Sequence, residues 1–165
     1  MRVADMDLSE FDIFCFDRAV ELALEAERQK NLPIGAVIAM KGEIVSEGKN
    51  LIWYPQAKLH RHAEMEALSN LPQDLVERAP EMTLYTTLEP CLMCMGAILL
   101  SRIGRVLYGS RDGFGGSDPV IEHLPEFFKQ EFDQITWQGP VYQAACDPLF
   151  KRIKSLEKIK ALGMR

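Results

Sequence analysis

Apolar and polar positions along this chain alternate between helical and strand periods. From about Ser9 to Gln29, Phe16, Ala19, Val20, Ala23 and Ala26 fall on one stripe at helical spacing, with Ser9 placed as an N-cap and Pro33 ending the pattern. Ile34 to Met40 is a short apolar run rich in β-branched residues, which predicts a buried strand. Lys41-Gly42-Glu43 supplies a tight turn, and Ile44 to Asn50 reads as the returning strand of a hairpin. Leu51 to Leu59 is a loop with Trp53, Tyr54 and Pro55. A helix follows from about Arg61 to Leu71, stopped by Pro72. Met82 to Thr87 is a strand running into Pro90. Cys91 to Ser101 is apolar almost all round, which predicts a central, buried helix, and Arg105 to Gly109 reads as a further strand.

The last third carries weaker patterns. Gly109 to Gly116 is a glycine-rich loop. Asp118-Pro119 resembles an N-cap with proline at the first helical position, opening a short helix that Pro125 interrupts. Ile135 to Trp137 is a short strand. A final helix covers much of Val141 to Leu162, with Asp147-Pro148 either its start or a disturbance in its first turns. Strands alternating with helices, without repeat or linker, predict one domain over residues 1–165: a three-layer α/β/α fold around a mixed sheet.

Composition narrows the classes. The chain has 165 residues, 47% hydrophobic and 26% charged, with no apolar run near the roughly 20 residues that span a bilayer. Its first residues lack the basic-then-apolar pattern of a secretory signal, so a cytoplasmic location without a membrane partner is expected. The net charge is −5, unevenly spread: residues 141–165 hold six basic and two acidic residues, net +4, leaving −9 for the rest. A basic end of this kind can touch phosphate, although a solvated helix face explains it as well. Of the four cysteines, Cys15 and Cys146 lie among apolar neighbours and read as buried core thiols.

The other two belong to a constellation. Arg61-His62-Ala63-Glu64 and Glu89-Pro90-Cys91-Leu92-Met93-Cys94 each stand at a helix start. They offer one imidazole and two thiols, the nitrogen and sulfur donors that Zn²⁺ prefers, and three protein ligands leave the open position of a catalytic site. Helix N-termini favour the thiolate form that zinc requires. His62, Cys91 and Cys94 are therefore the expected ligands of one Zn²⁺ per chain. Glu64, two residues after His62, is better placed as a carboxylate facing a water at the open position, whose pKa zinc can lower to about 7. A structural zinc knot would need a fourth ligand, and His60, Cys15 and Cys146 have no matching spacing. A thioredoxin-like redox pair would account for the cysteines but leave His62 and Glu64 unexplained.

His-x-Glu followed by Pro-Cys-x-x-Cys is the signature of zinc deaminases. With Leu32 to Ile38, Glu47 to Asn50, Thr83 to Ile98 and Ser101 to Gly109, the sequence resembles the cytidine/deoxycytidylate deaminase superfamily. The likeness is to the branch holding tRNA adenosine deaminases, guanine deaminases and fungal-type cytosine deaminases, and it covers roughly residues 10–118. It implies a five-stranded sheet, a homodimer packed through the metal-bearing helices, and hydrolytic exchange of a ring amino group for oxygen with release of ammonia. It also implies that Glu64 carries the proton, that Asn50 hydrogen-bonds the substrate and that Ile34 packs on the base. The backbone N–H groups of Ala63 and Cys91 would contact the base and the water.

Departures bear on substrate. Where tRNA adenosine deaminases usually carry Asp-Pro-Thr-Ala, this chain has Lys58-Leu59-His60-Arg61, and its Asn50–His62 connection is one residue longer. It has Ala145-Cys146 where they tend to show Glu-Cys, and a lysine-rich rather than arginine-rich end. With the acidic net charge, these favour a free nucleobase or nucleoside of guanine or cytosine type. Adenosine-to-inosine deamination of tRNA is the alternative, for which Trp53, Tyr54, Lys58 and Arg61 supply basic and aromatic contacts. A non-catalytic partner or nucleic-acid-binding subunit is the alternative outside enzymes, and the presence of Glu64 argues against it.

Overall fold

A computed structural model describes residues 7–160. Its elements in order are α1 (Glu10–Arg28), β1 (Gly35–Met40), β2 (Glu43–Lys49), α2 (Ala63–Ser69), a 3₁₀ segment (Gln73–Glu81), β3 (Thr83–Leu88), α3 (Leu92–Ser101) and β4 (Arg105–Ser110). A second 3₁₀ segment (Asp118–His123), α4 (Glu126–Phe132), β5 (Thr136–Gln138), α5 (Gln143–Ser155) and α6 (Glu157–Lys160) complete it.

The strands form one five-stranded mixed sheet in the order β2-β1-β3-β4-β5. β1 is antiparallel to both β2 and β3, whereas β4 runs parallel to β3 and to β5. The pleat sorts side chains to opposite faces. Ala36, Ile38, Leu84 and Val106 pack with Ala63, Ala67 and Ile98 of α2 and α3. Val37, Ala39, Tyr85 and Leu107 pack with Phe16, Ala19 and Leu22 of α1. α5 starts on the α1 side, where Tyr142 stacks on Phe16, and its later turns bring Phe150 and Ile153 to the cluster holding Ile34 and Leu88.

Local chemistry explains the boundaries. Ser9 caps α1 in a reciprocal box with Asp12: the Asp12 N–H donates to Ser9 Oγ at 3.1 Å and the Ser9 N–H to Asp12 Oδ2 at 3.0 Å. Lys41 and Gly42 both have positive φ, the geometry of a two-residue hairpin turn matched to strand twist. α2 can lie on β2 because residue 48 is glycine. A Cβ there would stand 2.1 Å from the Ala63 carbonyl oxygen and 2.3 Å from the Ala67 nitrogen.

Several sequence expectations are corrected. The second helix spans only Ala63–Ser69, because His62 is extended and serves as its N-cap residue. Gln73–Glu81, to which the sequence pattern assigned no element, forms 3₁₀ turns that include Pro80. Helix α3, expected to be buried all round, is buried on one side only. Cys94, Met95, Ile98 and Leu99 face inward, while Leu92 and Leu100 are 58% and 62% exposed. Asp118 is not an N-cap; Ser117 holds that position, and the Asp118 carboxylate instead takes hydrogen bonds from Tyr108 and Trp137. Pro125 separates two elements, a 3₁₀ segment and α4. The terminal helix is two helices broken at Leu156, with Asp147-Pro148 inside α5, and its expected end at Leu162 lies outside the described residues. No helix among the described residues is long and apolar enough to cross a membrane.

Candidate active site

The sheet gathers the motif residues at one end. β3 and β4 finish there, β1 begins there and β2 ends there, so Glu89, Arg111, Ile34 and Asn50 are each the first residue beyond a strand. α2 and α3 point their N-termini at the same place, with His62 and Cys91 as their N-cap residues. Orphan N–H groups of two helices therefore converge on it, an electropositive setting suited to thiolates and to a carboxylate.

His62 Nδ1 lies 3.6 Å from both Cys91 Sγ and Cys94 Sγ, and the three donor atoms all lie within 4.8 Å of one another. A tetrahedral zinc with ordinary Zn–N and Zn–S bonds separates a nitrogen and a sulfur ligand by about 3.6 Å. The donor set and its spacing fit zinc. Glu64 stands beside the cluster, 4% exposed. Its Oε1 accepts from the Thr86 hydroxyl at 2.9 Å, and its Oε2 is 3.5 Å from Cys94 Sγ.

Titration behaviour follows this crowding. Burial pushes the Glu64 carboxyl above the usual carboxylate range, against the opposing pull of its own backbone N–H, His62 and Thr86. Cys91 is driven towards thiolate, first by hydrogen bonding from Cys94, while Cys94 is driven the other way by the same contact, by burial and by Glu64. The Cys91 sulfur raises the His62 pKa against the opposing effect of burial, and the Glu64 charge adds to the rise.

A cavity of about 200 Å³ opens onto this group, with His62, Glu64 and Cys91 on its lining. Ile34 and Leu88 supply apolar wall from the sheet end, and Phe150, Ile153 and Ile159 supply it from the C-terminal helices. Asp112, Phe114 and Gly115 line it from the loop after β4. Asn50 is fully buried; its Oδ1 accepts from the Leu32 and Ile52 N–H groups at 3.3 Å, and its Nδ2 has no hydrogen-bond partner among the described residues. Ala63 is buried at the first position of α2. Arg61 is not available as a general cationic contact, because it forms a two-point ion pair with Glu66. Trp53 is packed against the core, with Lys158 4.5 Å above its ring. Cys15 and Cys146 are buried, and neither lines the cavity.

Sequence reasoning missed Thr86, Phe114, and the Phe150–Ile153–Ile159 wall. Thr86 had a signal, being a hydroxyl in strand register with Leu84 and Leu88, on the face that α2 covers. The wall had none, since its apolar residues suit a core equally well.

Three convergent donors and a buried carboxylate at one end of an α/β/α sheet define a metal-dependent hydrolase of the mononuclear type. The model of the cytidine and deoxycytidylate deaminase zinc-binding region matches residues 9–110, and the chain belongs to that family. It is 44% identical over 157 residues to a tRNA-specific adenosine deaminase of Haemophilus influenzae, covering 92% of this chain and 90% of that one. It is 39% identical over 107 residues to the tRNA-specific adenosine deaminase of Bacillus subtilis, covering 64% and 66%. Among solved structures it resembles one from biochemical and structural studies of A-to-I editing by tRNA:A34 deaminases. That match has a TM-score of 0.69 and 28% identity, covering 83% of this chain and 99% of the other. A guanine deaminase from Nitrosomonas europaea shares the fold at TM-score 0.61 and 21% identity, covering 87% and 84%.

Proposed function

We propose that this deaminase acts on adenosine within tRNA, converting it to inosine with release of ammonia. The observation that carries the chemistry is the buried Glu64 carboxylate, set between the donor triad and a base-sized cavity. The 44% identity to a tRNA-specific relative along nearly the whole chain supports the substrate. This reverses the order drawn from sequence, which placed a free guanine or cytosine first. That order leaned on local departures at Lys58–Arg61 and Ala145-Cys146 and on net charge; the departures lie outside the donor set, and net charge averages over a surface whose C-terminal end is basic.

His62, Cys91 and Cys94 would hold zinc, which when bound supplies a water acidic enough to act as nucleophile near neutral pH. With Cys94 held as a thiolate, its contact with Glu64 Oε2 no longer uses a proton, so Oε2 is open to exchange one. Thr86 fixes Oε1 and thereby the plane of the carboxylate. Glu64 would take a proton from the attacking water and pass it to the ring nitrogen, then take the second proton from the newly added hydroxyl and deliver it to the amino group, whose C–N bond breaks to release ammonia. Ile34 and Leu88 would provide apolar surface for the ring. Asn50 and Ala63 are buried behind the residues that line the cavity, from where the Asn50 Nδ2 would donate to the substrate and the Ala63 N–H would contact the base. The exposed outer face of α3, with Leu92, Met93 and Leu100, supports a homodimer packed through the metal-bearing helices.

One observation favours a second reading. Phe150, Ile153 and Ile159 wall one side of a cavity whose volume suits one base, which a free nucleobase would fill without any strand to accommodate. Zinc-loaded enzyme should be offered an anticodon stem-loop with adenosine in its loop, and separately free bases and nucleosides, with inosine and ammonia measured in each. Inosine from the RNA supports the proposal, and ammonia from free bases alone transfers the assignment to the second reading.

A further inference from the structure

Besides the bonds that Tyr108 and Trp137 give to the Asp118 carboxylate, the loop between β4 and the second 3₁₀ segment is held at both ends by a side chain outside the donor set. Glu89 is the first residue after β3 and is 2% exposed. Its backbone N–H donates to the Ser110 carbonyl at 2.8 Å, adding a rung to the β3–β4 ladder. Its side chain then reaches into the loop, where Oε2 accepts the Asp112 N–H at 3.0 Å and Oε1 accepts the Asp118 N–H at 2.8 Å. The loop thus starts and finishes on the two oxygens of one carboxylate.

The rest of the loop is built around that carboxylate. Gly116 lies so close that a Cβ there would stand 2.3 Å from the Glu89 carboxyl carbon and from Oε1. Gly116 pairs with Cys91 in an isolated antiparallel bridge, and the Ser117 N–H donates to the Pro90 carbonyl at 3.1 Å. Within the loop, Asp112 Oδ1 accepts the Phe114 and Gly115 N–H groups at 2.9 and 3.0 Å. Phe114 is held at the edge of the cavity with its ring 59% exposed. An exposed aromatic ring beside a base-sized cavity is a stacking surface.

We propose that Glu89 is a positioning residue for substrate binding, which acts by clamping the 112–118 loop so that Phe114 and Asp112 stand at the mouth of the catalytic cavity. This rests on the reading of that cavity as the base-binding pocket. Glu89→Gln tests it, because the amide keeps one acceptor and turns a donor towards the other backbone N–H. The zinc-loaded full chain should keep about one zinc per chain and a kcat close to wild type. KM for the deaminated substrate should rise about 10- to 100-fold, the scale of a lost charge-assisted hydrogen bond. Trypsin cleavage after Arg111, followed by mass spectrometry, should quicken by about tenfold as the loop opens locally. Gly116→Ala, which leaves Glu89 in place but pushes the loop off it, should reproduce both changes, and it decides the matter if Glu89→Gln does not fold. A variant with wild-type KM and lowered zinc content or kcat would overturn the proposal, since Glu89 would then serve the metal site or stability alone. Unchanged cleavage at Arg111 would overturn it independently of any substrate. Absence of turnover by the wild type is a separate outcome that removes the pocket reading on which substrate positioning depends.

Discussion

Asp12→Asn removes a charge that ties three elements together without touching the catalytic pocket. Asp12 closes the α1 capping box, and its Oδ1 accepts from the Tyr85 hydroxyl of β3 at 2.7 Å and from Arg105 of β4 at 2.8 Å. Burial raises its pKa, but the hydrogen bonds from Tyr85, Ser9 and Arg105 together prevail and bring it from 3.8 down to about 2. Its side chain is only 7% exposed, so solvent screening takes little from the shift. At 1.36 kcal/mol per pKa unit the ionised form contributes about 2 kcal/mol to folding. The folded-state pKa is the lower one, so this stability is fully present above pH 3.8 and is lost as the pH falls through about 2. Urea unfolding of wild type and variant, both stripped of zinc so that metal release on acidification does not enter, should give a difference of about 2 kcal/mol at pH 7 and pH 5, reduced to about half at pH 3. A difference below about 0.5 kcal/mol at pH 7, or one that grows on acidification, would refute the reasoning.

Glu64→Gln should retain zinc and fold while kcat drops by about 10² to 10⁴, the span of a lost general acid–base; metal analysis beside a rate assay checks both. Cys91→Ser and Cys94→Ser should each lower zinc content well below one per chain, read by atomic absorption of the dialysed protein. Gly48→Val drives a side chain into the α2 backbone, where even a Cβ would sit 2.1 Å from an oxygen. It should cost about 1–3 kcal/mol or more in urea unfolding and loosen zinc by displacing His62. Leu100→Glu, on the exposed face of α3, should yield a monomer by sedimentation if that face joins two copies.

The sequence carried the site better than it carried the site's surroundings. His62, Glu64, Cys91 and Cys94 were legible because ligand chemistry fixes residue types and short spacings, and each pair lies within one helix start. The β1–β2 hairpin was legible from Lys41-Gly42 between two apolar runs. The α3 expectation failed because an all-apolar helix has the same pattern whether its outer face meets a core or a second molecule. Arg61 looked like a free cation until Glu66, five residues on, proved to hold it. Glu89 could be seen beside the cysteines, but its work depends on Asp112, Gly116 and Asp118, more than 20 residues away, and no local pattern records that contact.

In the proposed reaction one zinc, held by His62, Cys91 and Cys94, works with Glu64 to deaminate adenosine in RNA. Its most direct test is inosine formation in an anticodon stem-loop by zinc-loaded wild type and Glu64→Gln, measured by mass spectrometry of the digested nucleosides with ammonia followed in parallel. Inosine and ammonia should form in equal amounts from the wild type, with a loss of at least about 10²-fold in the variant. Equal rates in the two proteins, or zinc-loaded wild type that leaves the adenosine unchanged, would contradict it.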